Sequence, residues 1–301
     1  MTEDLGGLWQ RHMRRGDWAA AWRISDAVLA ARGGARDWHA PRHLQAVWDG
    51  SPVDGRRILV RCYHGLGDTL QFIRFVPAVA ARAAEVTVWA QPALIPLLRT
   101  MPGIGRLLPL HDGTPEAEYD FDLEIMELAH LLRVTPASLP AAVPYLHPPR
   151  QPRPPGGRLA LGLVWRAGEW DPRRSIPFDL LRPLAEIPGV ALHLLQRGPA
   201  LAECPAGFGV EAGSDDPLAA ASAMTALDLV VTVDSMPAHL AGALGIPVWT
   251  LLAEPADWRW MERRTDTPWY PTMRLFRQER PRDWAPVIAR VTEALRAQAR
   301  P

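Results

Sequence analysis

Strand-like and helix-like segments alternate along this chain, stop at a proline-rich stretch and then start again. In the first half the apolar runs RRILVRC (56–62) and EVTVWA (85–90) each precede a helical pattern, and RLALGLVW (158–165) and LDLVVTVD (227–234) do so in the second half. Between the halves, HPPRQPRPPGG (147–157) has five prolines and two glycines, a composition typical of a linker. The alternation predicts parallel sheets covered by helices, in two α/β halves.

Composition and charge exclude several classes of protein. A chain of 301 residues with 48% hydrophobic and 22% charged residues suits two soluble domains. Its 33 basic and 33 acidic residues leave no basic excess, which argues against nucleic acid or a membrane surface as partner. No apolar run reaches the roughly 18 residues of a transmembrane segment, and the first residues lack the apolar core of a signal peptide. We therefore expect a cytoplasmic protein.

The chain has two cysteines and no lysine. Cys62 and Cys204 have no partners at metal-ligand spacing, so the sequence indicates neither a zinc site nor a disulfide framework. Without lysine there is no Schiff-base chemistry and no P-loop lysine. Any phosphate group must then be bound by arginines, hydroxyl groups and helix N-termini.

The N-terminal 33 residues have the pattern of one or two helices. In DWAAAWRISDAVLAAR (17–32), Trp18 and Trp22 lie near one face, and Gly33-Gly34 ends the pattern. This predicts a helical hairpin appended to the main body. A helix that only packs against or caps that body explains the pattern as well.

A glycine-rich turn and an aspartate separate the first strand from its helix. In RCYHGLGDTLQFIRFVP (61–77), Gly65 and Gly67 permit a sharp turn and the close approach of a ligand. Asp68 then stands near the start of an apolar helix. A simple helix cap, which stabilises a helix by about 1 kcal/mol, accounts for Asp68 equally well. The third glycine of the dinucleotide fingerprint is missing here.

A second strand-to-helix turn lies in ALDLVVTVDSMPAHLAGALGIPVW (226–249). The apolar strand delivers Asp234 and Ser235 to its carboxyl end, and a helix begins near Pro237. Free backbone N–H groups there, together with the Ser235 hydroxyl, suit a diphosphate without lysine or metal. His239 lies one turn further on and can reach the same anion. The alternative is that Asp234 caps the helix and His239 is a packing residue.

Three loops after predicted strands are rich in arginine or tryptophan: GLVWRAGEWDPRRSIP (162–177), LLQRGP (194–199) and AEPADWRWMERRTDTPWYPTMRLFRQ (253–278). Arginines beyond a strand suit phosphate or sugar recognition, and aromatic rings stack on a base or a sugar. A solvated charge run and packing between domains are the alternatives. The polar candidates in the first two loops are Arg166, Arg173, Arg174, Ser175, Gln196 and Arg197.

These motifs, in this order, resemble bacterial glycosyltransferases of family 9, the heptosyltransferase-like type, in particular the branch associated with tetratricopeptide repeats. The resemblance covers about residues 46–296. It implies a GT-B fold, an α/β architecture in which two Rossmann-like parallel-sheet domains face a cleft. It further implies a helical extension at 1–45, an acceptor-side domain at 46–150, a nucleotide-sugar donor domain at 151–280, and a C-terminal helix at 281–301 that packs back on the first domain.

The resemblance also implies an activity. It is the inverting, metal-independent transfer of a sugar from a nucleotide-diphosphate sugar, used as co-substrate without a further cofactor, to an acceptor hydroxyl. Asp68 is similar to the family's general base, and His64 is our second candidate for proton transfer. The predicted acceptor-side loop consists of Tyr63, Gly65, Gly67 and Gln71. The predicted donor-binding residues are Trp165, Arg166, Arg174, Ser175, Gln196, Arg197, Asp234, Ser235, Met236, Pro237, His239, Asp257 and Trp258. The acceptor class stays open between saccharide, protein and small molecule.

The chain departs from its resemblance at three places. Tyr63-His64 stands where the repeat-associated branch has Glu-Gln, Ser235 with the two residues after it replaces Thr-Ala, and Arg166 replaces a small polar residue. Arg197 stands where many relatives have lysine, and its charge suits the departing diphosphate. Two alternatives follow: a non-catalytic nucleotide-binding scaffold on the same fold, and a sugar-nucleotide isomerase or hydrolase.

Overall fold

A computed structural model describes residues 4–33, 35, 40–45 and 47–299. Two units are formed: Met1–Ala141 with Asp257–Glu262, and Ala142–Ala256 with Arg263–Pro301. Each unit is built on its own parallel sheet. The two α/β halves predicted from the sequence are therefore present, although their limits differ from those expected.

Strands form where apolar and β-branched residues cluster, as the sequence pattern indicates. In chain order they are β1 (Arg57–Arg61), β2 (Glu85–Ala90), β3 (Arg106–Pro109), β4 (Phe121–Glu124), β5 (Leu159–Val164), β6 (Val190–Leu194), β7 (Val210–Glu211), β8 (Leu229–Val233), β9 (Val248–Leu252) and β10 (Met273–Arg277).

Helices occupy most of the connections between the strands. The α-helices are α1 (Leu5–Arg15), α2 (Trp18–Arg32), α3 (Leu66–Phe72), α4 (Val76–Ala80), α5 (Ile95–Leu98), α6 (Glu127–Leu131), α7 (Arg182–Ala185), α8 (Pro217–Met224), α9 (Met236–Ala243) and α10 (Ala285–Gln298). Short 3₁₀ turns lie at Arg42–Leu44, Ile73–Phe75, Pro92–Leu94, Pro172–Arg174, Phe178–Leu181, Gly198–Glu203 and Trp258–Trp260. Within the described residues, no helix combines the length and the apolar character that crossing a bilayer requires.

The sheet of the first unit has the strand order β3-β2-β1-β4, with all neighbours parallel. The chain moves outward from β1 through β2 to β3 and then returns to the other side of β1. The strand order therefore reverses between β1 and β4. In open α/β sheets, ligands bind beyond the carboxyl ends of the strands at such a reversal.

The sheet of the second unit has the order β10-β9-β8-β5-β6-β7 and is also parallel throughout. Here the order reverses between β5 and β8. Side chains of the sheet form an apolar core, in which Leu161, Val231 and Trp249 pack with residues of α10. The second unit thus presents the same kind of strand reversal as the first.

The N-terminal helices are part of the first unit. Asp4 caps α1 by accepting from Gly6 N at 3.1 Å, and α2 ends at Gly33, whose φ of 58° is left-handed. The indole of Trp22 donates to the Val134 carbonyl at 2.6 Å, which ties α2 to residues beyond the sheet. The predicted helical hairpin is therefore present and packs on the first unit. Gly34, predicted to end it, and Ala46, at the predicted domain limit, lie outside the described residues.

The proline-rich stretch at 147–157 belongs to the second unit, so the predicted limit at 150/151 is wrong. Tyr145 N donates to the Ala243 carbonyl at 3.0 Å, and Gln151 N donates to Thr225 Oγ1 at 2.9 Å. Tyr145 lies just before the stretch and Gln151 lies within it, so these bonds fix the segment to α9 and to the end of α8. Prolines here mark an extended segment that packs on one unit.

The C-terminal helix also differs from its prediction. We expected residues 281–301 to pack back on the first domain, but α10 belongs to the second unit. Its buried residues Val287, Val291 and Leu295 join the apolar core of the second sheet. The helix is amphipathic as expected, and the sheet that covers its apolar face is the nearer one in sequence.

Candidate functional site

The loop after β1 carries the glycine-rich turn and lies at the strand-order reversal of the first sheet. Gly65 is the N-cap residue of α3. Gln91 Nε2, just after β2, donates to the His64 carbonyl at 2.8 Å. Tyr63 N donates to Glu124 Oε1, at the end of β4, at 3.3 Å. Three strand ends thus fix the position of His64 and of the start of α3.

The two glycines of this turn do not act through unusual backbone angles. Gly65 has φ −66° and ψ 164°, and neither Gly65 nor Gly67 has a positive φ. At Gly65 the constraint is space, because a Cβ atom would lie 3.2 Å from Asp68 Oδ2. The missing side chain lets the Asp68 carboxylate reach the Gly65 N–H at 3.0 Å. The chain turns from β1 to α3 within residues 62–65, as predicted, and the close approach of a ligand to this backbone stays a prediction.

Asp68 is the third residue of α3, and both of its carboxylate oxygens have partners. Oδ2 accepts from Gly65 N, so Asp68 does help to cap the helix. Oδ1 forms an ion pair with Arg259 Nη2. Each oxygen of a carboxylate has a second lone pair, and 23% of this side chain is exposed. Capping is therefore compatible with a chemical role for Asp68.

Arg259 links α3 to a segment from much later in the chain. Its Nε donates to Gln71 Oε1 at 2.8 Å and its Nη1 to Asp257 Oδ1 at 2.9 Å, while the guanidinium lies 4.9 Å from the Trp258 ring centroid. Asp257 and Trp258 were expected in the donor domain, but they belong to the first unit with Asp68. That placement was wrong because Arg259 bonds the segment to α3. The donor-binding role of both residues stays a prediction.

His64 faces a buried carboxylate. Its Nδ1 lies 2.9 Å from Glu124 Oε1, and Glu124 Oε2 also accepts from Met126 N at 2.7 Å. Burial disfavours the charged imidazolium, but the interaction with Glu124 and the charge of Asp68 outweigh it and raise the pKa of His64 above its ordinary value. Because Nδ1 faces Glu124, Nε2 is the nitrogen that can exchange a proton with a ligand.

A second acid, the partly buried Glu127, begins α6 and has a pKa near neutrality. Its Oε2 accepts from Trp48 N at 2.9 Å and from Glu124 N at 2.8 Å. Burial raises the pKa of Glu127 to about 7, and the charge of Glu124 acts in the same direction against the two backbone hydrogen bonds and Arg32. Glu127 lines a cavity that His64 also lines.

The other two acceptor-side candidates hold the loop. Tyr63 Oη accepts from Arg61 Nη1 at 2.6 Å, and Arg61 in turn bonds Asp122. Gln71 is fully buried beneath Arg259. Tyr63 therefore supports the loop after β1 through Arg61, and Gln71 supports Arg259. The acceptor-binding role of Tyr63 and Gln71 stays a prediction.

In the second unit the predicted donor residues follow β5, β6 and β8, around the strand reversal. Gln196 Oε1 accepts from Trp165 N at 3.1 Å and from Arg166 N at 2.9 Å, which joins the ends of β5 and β6. Arg174 Nη1 donates to the Asp234 carbonyl at 2.8 Å, which joins the loop after β5 to the end of β8. The structure therefore brings the predicted donor loops together.

Helix α9 begins directly after the Asp234–Ser235 pair. Ser235 is its N-cap residue, but Ser235 Oγ donates to the Val233 carbonyl at 3.3 Å and makes no capping bond to the helix. Met236 and Pro237 form its first turn, as predicted. The N–H groups of an uncapped first turn suit an anion such as a diphosphate.

Two predicted arginines of the donor loops pair with acidic residues. Arg197 Nη2 lies 2.9 Å from Asp215 Oδ2, and Arg166 pairs with Glu203. Both are surface pairs, which contribute little to stability and open at small cost. Their donor-binding roles stay predictions.

His239 has the environment of the packing alternative. It is buried, and its Nδ1 lies 3.1 Å from Tyr270 Oη. The same tyrosine ring fills the space beside Gly242, where a Cβ atom would lie 2.5 Å from the ring. His239 thus holds α9 against Tyr270, and contact with a donor stays a prediction.

The loop after β5 also presents an exposed indole that the sequence interpretation did not single out. Trp170 is 80% exposed, and the Arg174 guanidinium lies 4.9 Å from its ring centroid. Ser175 Oγ accepts from Ala167 N at 3.2 Å and closes the loop. An exposed indole offers a stacking face for a nucleobase.

Sequence reasoning also missed Glu124, Glu127 and Arg259. A signal for the two acids exists in FDLEIMELAH (121–130), where glutamates three residues apart follow an apolar strand. Because that strand is parallel to β1, its end lies beside the glycine-rich loop. Arg259 has no comparable local signal, since two of its partners, Asp68 and Gln71, come from the other half of the sequence.

No protein-family model matches the chain. Among curated proteins the chain is similar to Protein FlbA of Caulobacter vibrioides (strain ATCC 19089 / CIP 103742 / CB 15). The identity is 27% over a match of 293 residues, and the match covers 83% of this chain. The match covers 48% of Protein FlbA, so the chain spans about half the length of the curated relative that it matches.

Solved structures share the fold at low identity. A glycosyl transferase of family 9 from Veillonella parvula DSM 2008 has a TM-score of 0.52 and 14% identity, over 76% of this chain and 87% of that one. The E. coli ADP-heptose lps heptosyltransferase II has a TM-score of 0.55 and 17% identity, over 81% of this chain and 98% of that one. The predicted resemblance in fold, with its two Rossmann-like parallel sheets of GT-B type, is confirmed. The association with tetratricopeptide repeats stays a prediction.

Proposed function

We propose that the chain is a glycosyltransferase that moves a sugar, with inversion and without a metal, from a nucleotide-diphosphate sugar to an acceptor hydroxyl. The observation that carries this proposal is the Asp68 carboxylate, held by Arg259 and Gly65 at the strand reversal of the first sheet. The uncapped start of α9 at the reversal of the second sheet supports it. The fold neighbours include an ADP-heptose heptosyltransferase, so ADP-sugars are the first donors to test.

Asp68 is the proposed general base. It takes the proton from the acceptor hydroxyl while that oxygen bonds to the anomeric carbon and the bond from this carbon to the diphosphate oxygen breaks. Attack from the face opposite the leaving group inverts the anomeric centre. Proton transfer of this kind contributes about 10²–10⁴-fold in rate.

His64 is proposed to carry the proton onward from Asp68. The two groups are close enough that the charge of Asp68 raises the pKa of His64. Glu124 is then a positioning residue, because it fixes Nδ1 and leaves Nε2 for the exchange. This assigns the buried acid at the end of β4 a role that does not require contact with substrate.

On the donor side, the leaving diphosphate is proposed to lie at the N-terminus of α9. The first-turn N–H groups, Ser235 and the Arg174 guanidinium would meet its growing charge. Arg174 is the better-placed cation because it is already bonded to the Asp234 carbonyl, whereas Arg197 must leave Asp215. Trp170 would stack on the base.

The proposal assigns no role to a metal, since arginine and the helix N-terminus supply the positive charge. Within the described residues there is no cluster of three or more His, Cys, Asp or Glu side chains with metal-ligand geometry. Transfer that persists in EDTA would agree with this part of the proposal. Loss of transfer in EDTA, restored by a divalent ion, would contradict it.

The first experiment is a thermal-unfolding panel with ADP, UDP, GDP, dTDP and CDP and their common sugar conjugates. A ligand at 100 times its Kd adds about 2.7 kcal/mol to the free energy of unfolding, which raises the midpoint by several degrees. One nucleotide clearly ahead of the others identifies the donor. Transfer assays with Asp68→Asn then follow, and we expect donor binding to persist while turnover falls by about 10²–10⁴-fold.

A second candidate is a nucleotide-binding scaffold without catalysis. It is favoured by the partners of Asp68, since both oxygens of the carboxylate are already bonded. A nucleotide that stabilises the protein while no donor yields product would favour this candidate. Full activity of Asp68→Asn would remove Asp68 from the mechanism.

A further inference from the structure

A cavity of about 350 Å³ lies in the first unit, lined by residues of α1 and α2 and by residues that follow β1 and β4. Five aromatic side chains line it: Trp9, Trp22, Trp48, Phe72 and Trp258. The Trp9 and Trp258 rings meet edge to face with centroids 5.3 Å apart. The volume and the aromatic lining are typical of a site for a small organic group.

Among the polar residues that line the cavity, His64 and Glu124 belong to the candidate site, and we call the part that they line its polar end. His64 and Glu124 line the cavity and also face each other at 2.9 Å. Arg259, the ion-pair partner of Asp68, lies 4.9 Å from the ring centroid of Trp258 in the cavity wall. A group that fills the cavity therefore ends beside the residues to which we assign proton transfer.

Several polar groups of the lining are engaged within the protein, whereas Arg32 Nε and Gln45 Oε1 are buried without a hydrogen bond to any described residue. Ser25 Oγ accepts from the Trp9 indole at 3.1 Å and donates to the Ala21 carbonyl at 3.3 Å. Glu127 Oε2 already accepts two backbone N–H groups. A sugar ring, with a hydroxyl on most of its carbons, would lose more hydrogen bonds to water than this lining replaces. The lining therefore selects an apolar body.

The charges near the polar end also restrict the ligand. Glu124 and Glu127 line the cavity, and the charge of Asp68 acts on His64. Two arginines face these acids: Arg32 lines the cavity, acts on Glu127 and donates to the Trp48 carbonyl, and Arg259 is paired with Asp68. The three acids outnumber these two arginines. An anionic ligand would add buried negative charge to this group of acids. An uncharged ligand avoids that cost.

The mouth of the cavity is apolar as well. Leu5 on α1 is 49% exposed and Val28 on α2 is 48% exposed, and both belong to the lining. Exposed aliphatic residues at the edge of an aromatic cavity extend the apolar surface outward. The two N-terminal helices thus supply the outer wall of the site.

We propose that this cavity is the acceptor pocket and that it takes a hydroxyl group carried on an uncharged, largely apolar aryl or alkyl body. The body lies against the aromatic walls, and the reacting hydroxyl lies at His64 and Asp68. The inference rests on the proposed transferase function. It gives the N-terminal helices a role in selecting the acceptor, which the sequence pattern left open.

Titration calorimetry of the full chain with three probes tests the pocket without any donor. The probes are 2-naphthol, the anionic 2-naphthalenesulfonate and the polyhydroxylated methyl glucoside. We expect 2-naphthol to bind at least tenfold more tightly than either of the others. Tighter binding of methyl glucoside, or equal binding of the sulfonate, would overturn the assignment. N-acetyltyrosinamide is a fourth probe, because it carries its hydroxyl on a tyrosine side chain. Tighter binding of N-acetyltyrosinamide than of 2-naphthol indicates a tyrosine as the source of the hydroxyl, and tighter binding of 2-naphthol indicates a free phenol.

Two variants place the binding in this cavity. Val28→Asp puts a charge at the mouth, and the matched control Ala27→Asp puts it on an exposed residue of the same helix that does not line the cavity. We expect at least a tenfold loss of 2-naphthol affinity in Val28→Asp and less than a twofold change in Ala27→Asp. If Val28→Asp fails to fold, Leu5→Asp repeats the test in the first turn of α1, where a carboxylate is favourable. Unchanged affinity in the folded variant would overturn the pocket.

The outcomes separate this inference from the proposed function. Binding of 2-naphthol without any sugar transfer keeps the pocket and counts against the transferase. Transfer to a saccharide acceptor with no binding of 2-naphthol keeps the transferase and overturns the apolar acceptor. Transfer to 2-naphthol, lost in Val28→Asp, supports both.

Discussion

Asp68 and Arg259 form an ion pair although 191 residues separate them in the sequence. The arginine also bonds Gln71 and Asp257, so one guanidinium fixes the carboxylate, the helix behind it and the segment that contributes Trp258 to the cavity. Asp68, Asp257 and Arg259 together have a formal net charge of −1. Arg259 is therefore the residue on which the geometry of the first site depends most.

We predict that Arg259→Met lowers both stability and turnover. Asp68 and Asp257 would lose their cation in a partly buried place, which costs about 1–3 kcal/mol. Without its partner Asp68 also loses its fixed position, so kcat should fall by tenfold or more while donor affinity is kept. Thermal unfolding and steady-state kinetics measure the two effects, with the exposed Arg263→Met as control. Normal kcat in a folded Arg259→Met would show that Asp68 needs no positioning.

Glu124 should set the pH at which His64 loses its proton. Its carboxylate raises the pKa of His64, so Glu124→Gln lowers that pKa and makes the neutral imidazole available at lower pH. We expect the acid limb of kcat/KM to move to lower pH. Asp26→Asn, which removes the carboxylate 2.8 Å from His130 in the same unit, is the matched control and should leave the limb in place. An acid limb that stays in place in Glu124→Gln would exclude His64 from the proton path.

The sequence predicted the alternation of strands and helices well, because that alternation follows from local apolar periodicity. The loops that follow β1, β5 and β8 were predicted for the same reason: in a parallel sheet every strand end comes to one edge. The strands β7 and β10 were missed. β7 has only two residues, and β10 lies in a stretch of arginine and tryptophan whose composition resembles a loop.

Long-range relations were the part that local patterns could not supply. Asp257 and Trp258 follow a strand of the second sheet in sequence, yet Arg259 bonds them to α3 of the first unit. The proline-rich stretch had the composition of a linker, but Gln151 N within it and Tyr145 N just before it bond to residues of the second unit. The unit to which each of these two segments belongs depends on a few tertiary hydrogen bonds, which produce no periodic pattern in the sequence.

Arg174 should matter for donor binding far more than its neighbour. Arg174 bonds the Asp234 carbonyl just before α9, where we propose that the diphosphate binds, whereas Arg173 pairs with Asp171 at the surface. A hydrogen bond to a charged group contributes about 1.5–3 kcal/mol, so Arg174→Gln should weaken donor binding by about 10- to 100-fold. Calorimetry with the identified donor measures this, and Arg173→Gln should bind like the unchanged chain. Equal losses in both variants would point to general charge rather than to this site.

Glu127 should make the stability of the protein depend on pH near neutrality. Its pKa is about 7 when folded and lower when unfolded, so the stability it contributes is fully present below the unfolded pKa and is lost as pH rises through about 7. Glu127→Gln keeps an acceptor oxygen for Trp48 N and Glu124 N but cannot ionise. Between pH 5.5 and 8 the variant should therefore gain about 2 kcal/mol over the unchanged chain. Denaturant unfolding at the two pH values measures this gain in the free energy of unfolding, and the exposed Glu186→Gln is the control. If Glu127 ionised freely in the folded protein, Glu127→Gln would show no such gain.

Gly242 should be essential for the position of α9 against Tyr270. A Cβ atom there would lie 2.5 Å from the ring of Tyr270, which also contacts His239 in the same helix. Gly242→Ala must displace either the ring or the helix, at a cost of about 1–3 kcal/mol. Because α9 presents Ser235 and the first-turn N–H groups, donor affinity should fall with stability. Gly168→Ala is the matched control, since a Cβ there meets no atom of the described residues within 4 Å. If Gly242→Ala melts and binds donor as Gly168→Ala does, the packing of Tyr270 does not set the position of the proposed diphosphate site at the start of α9.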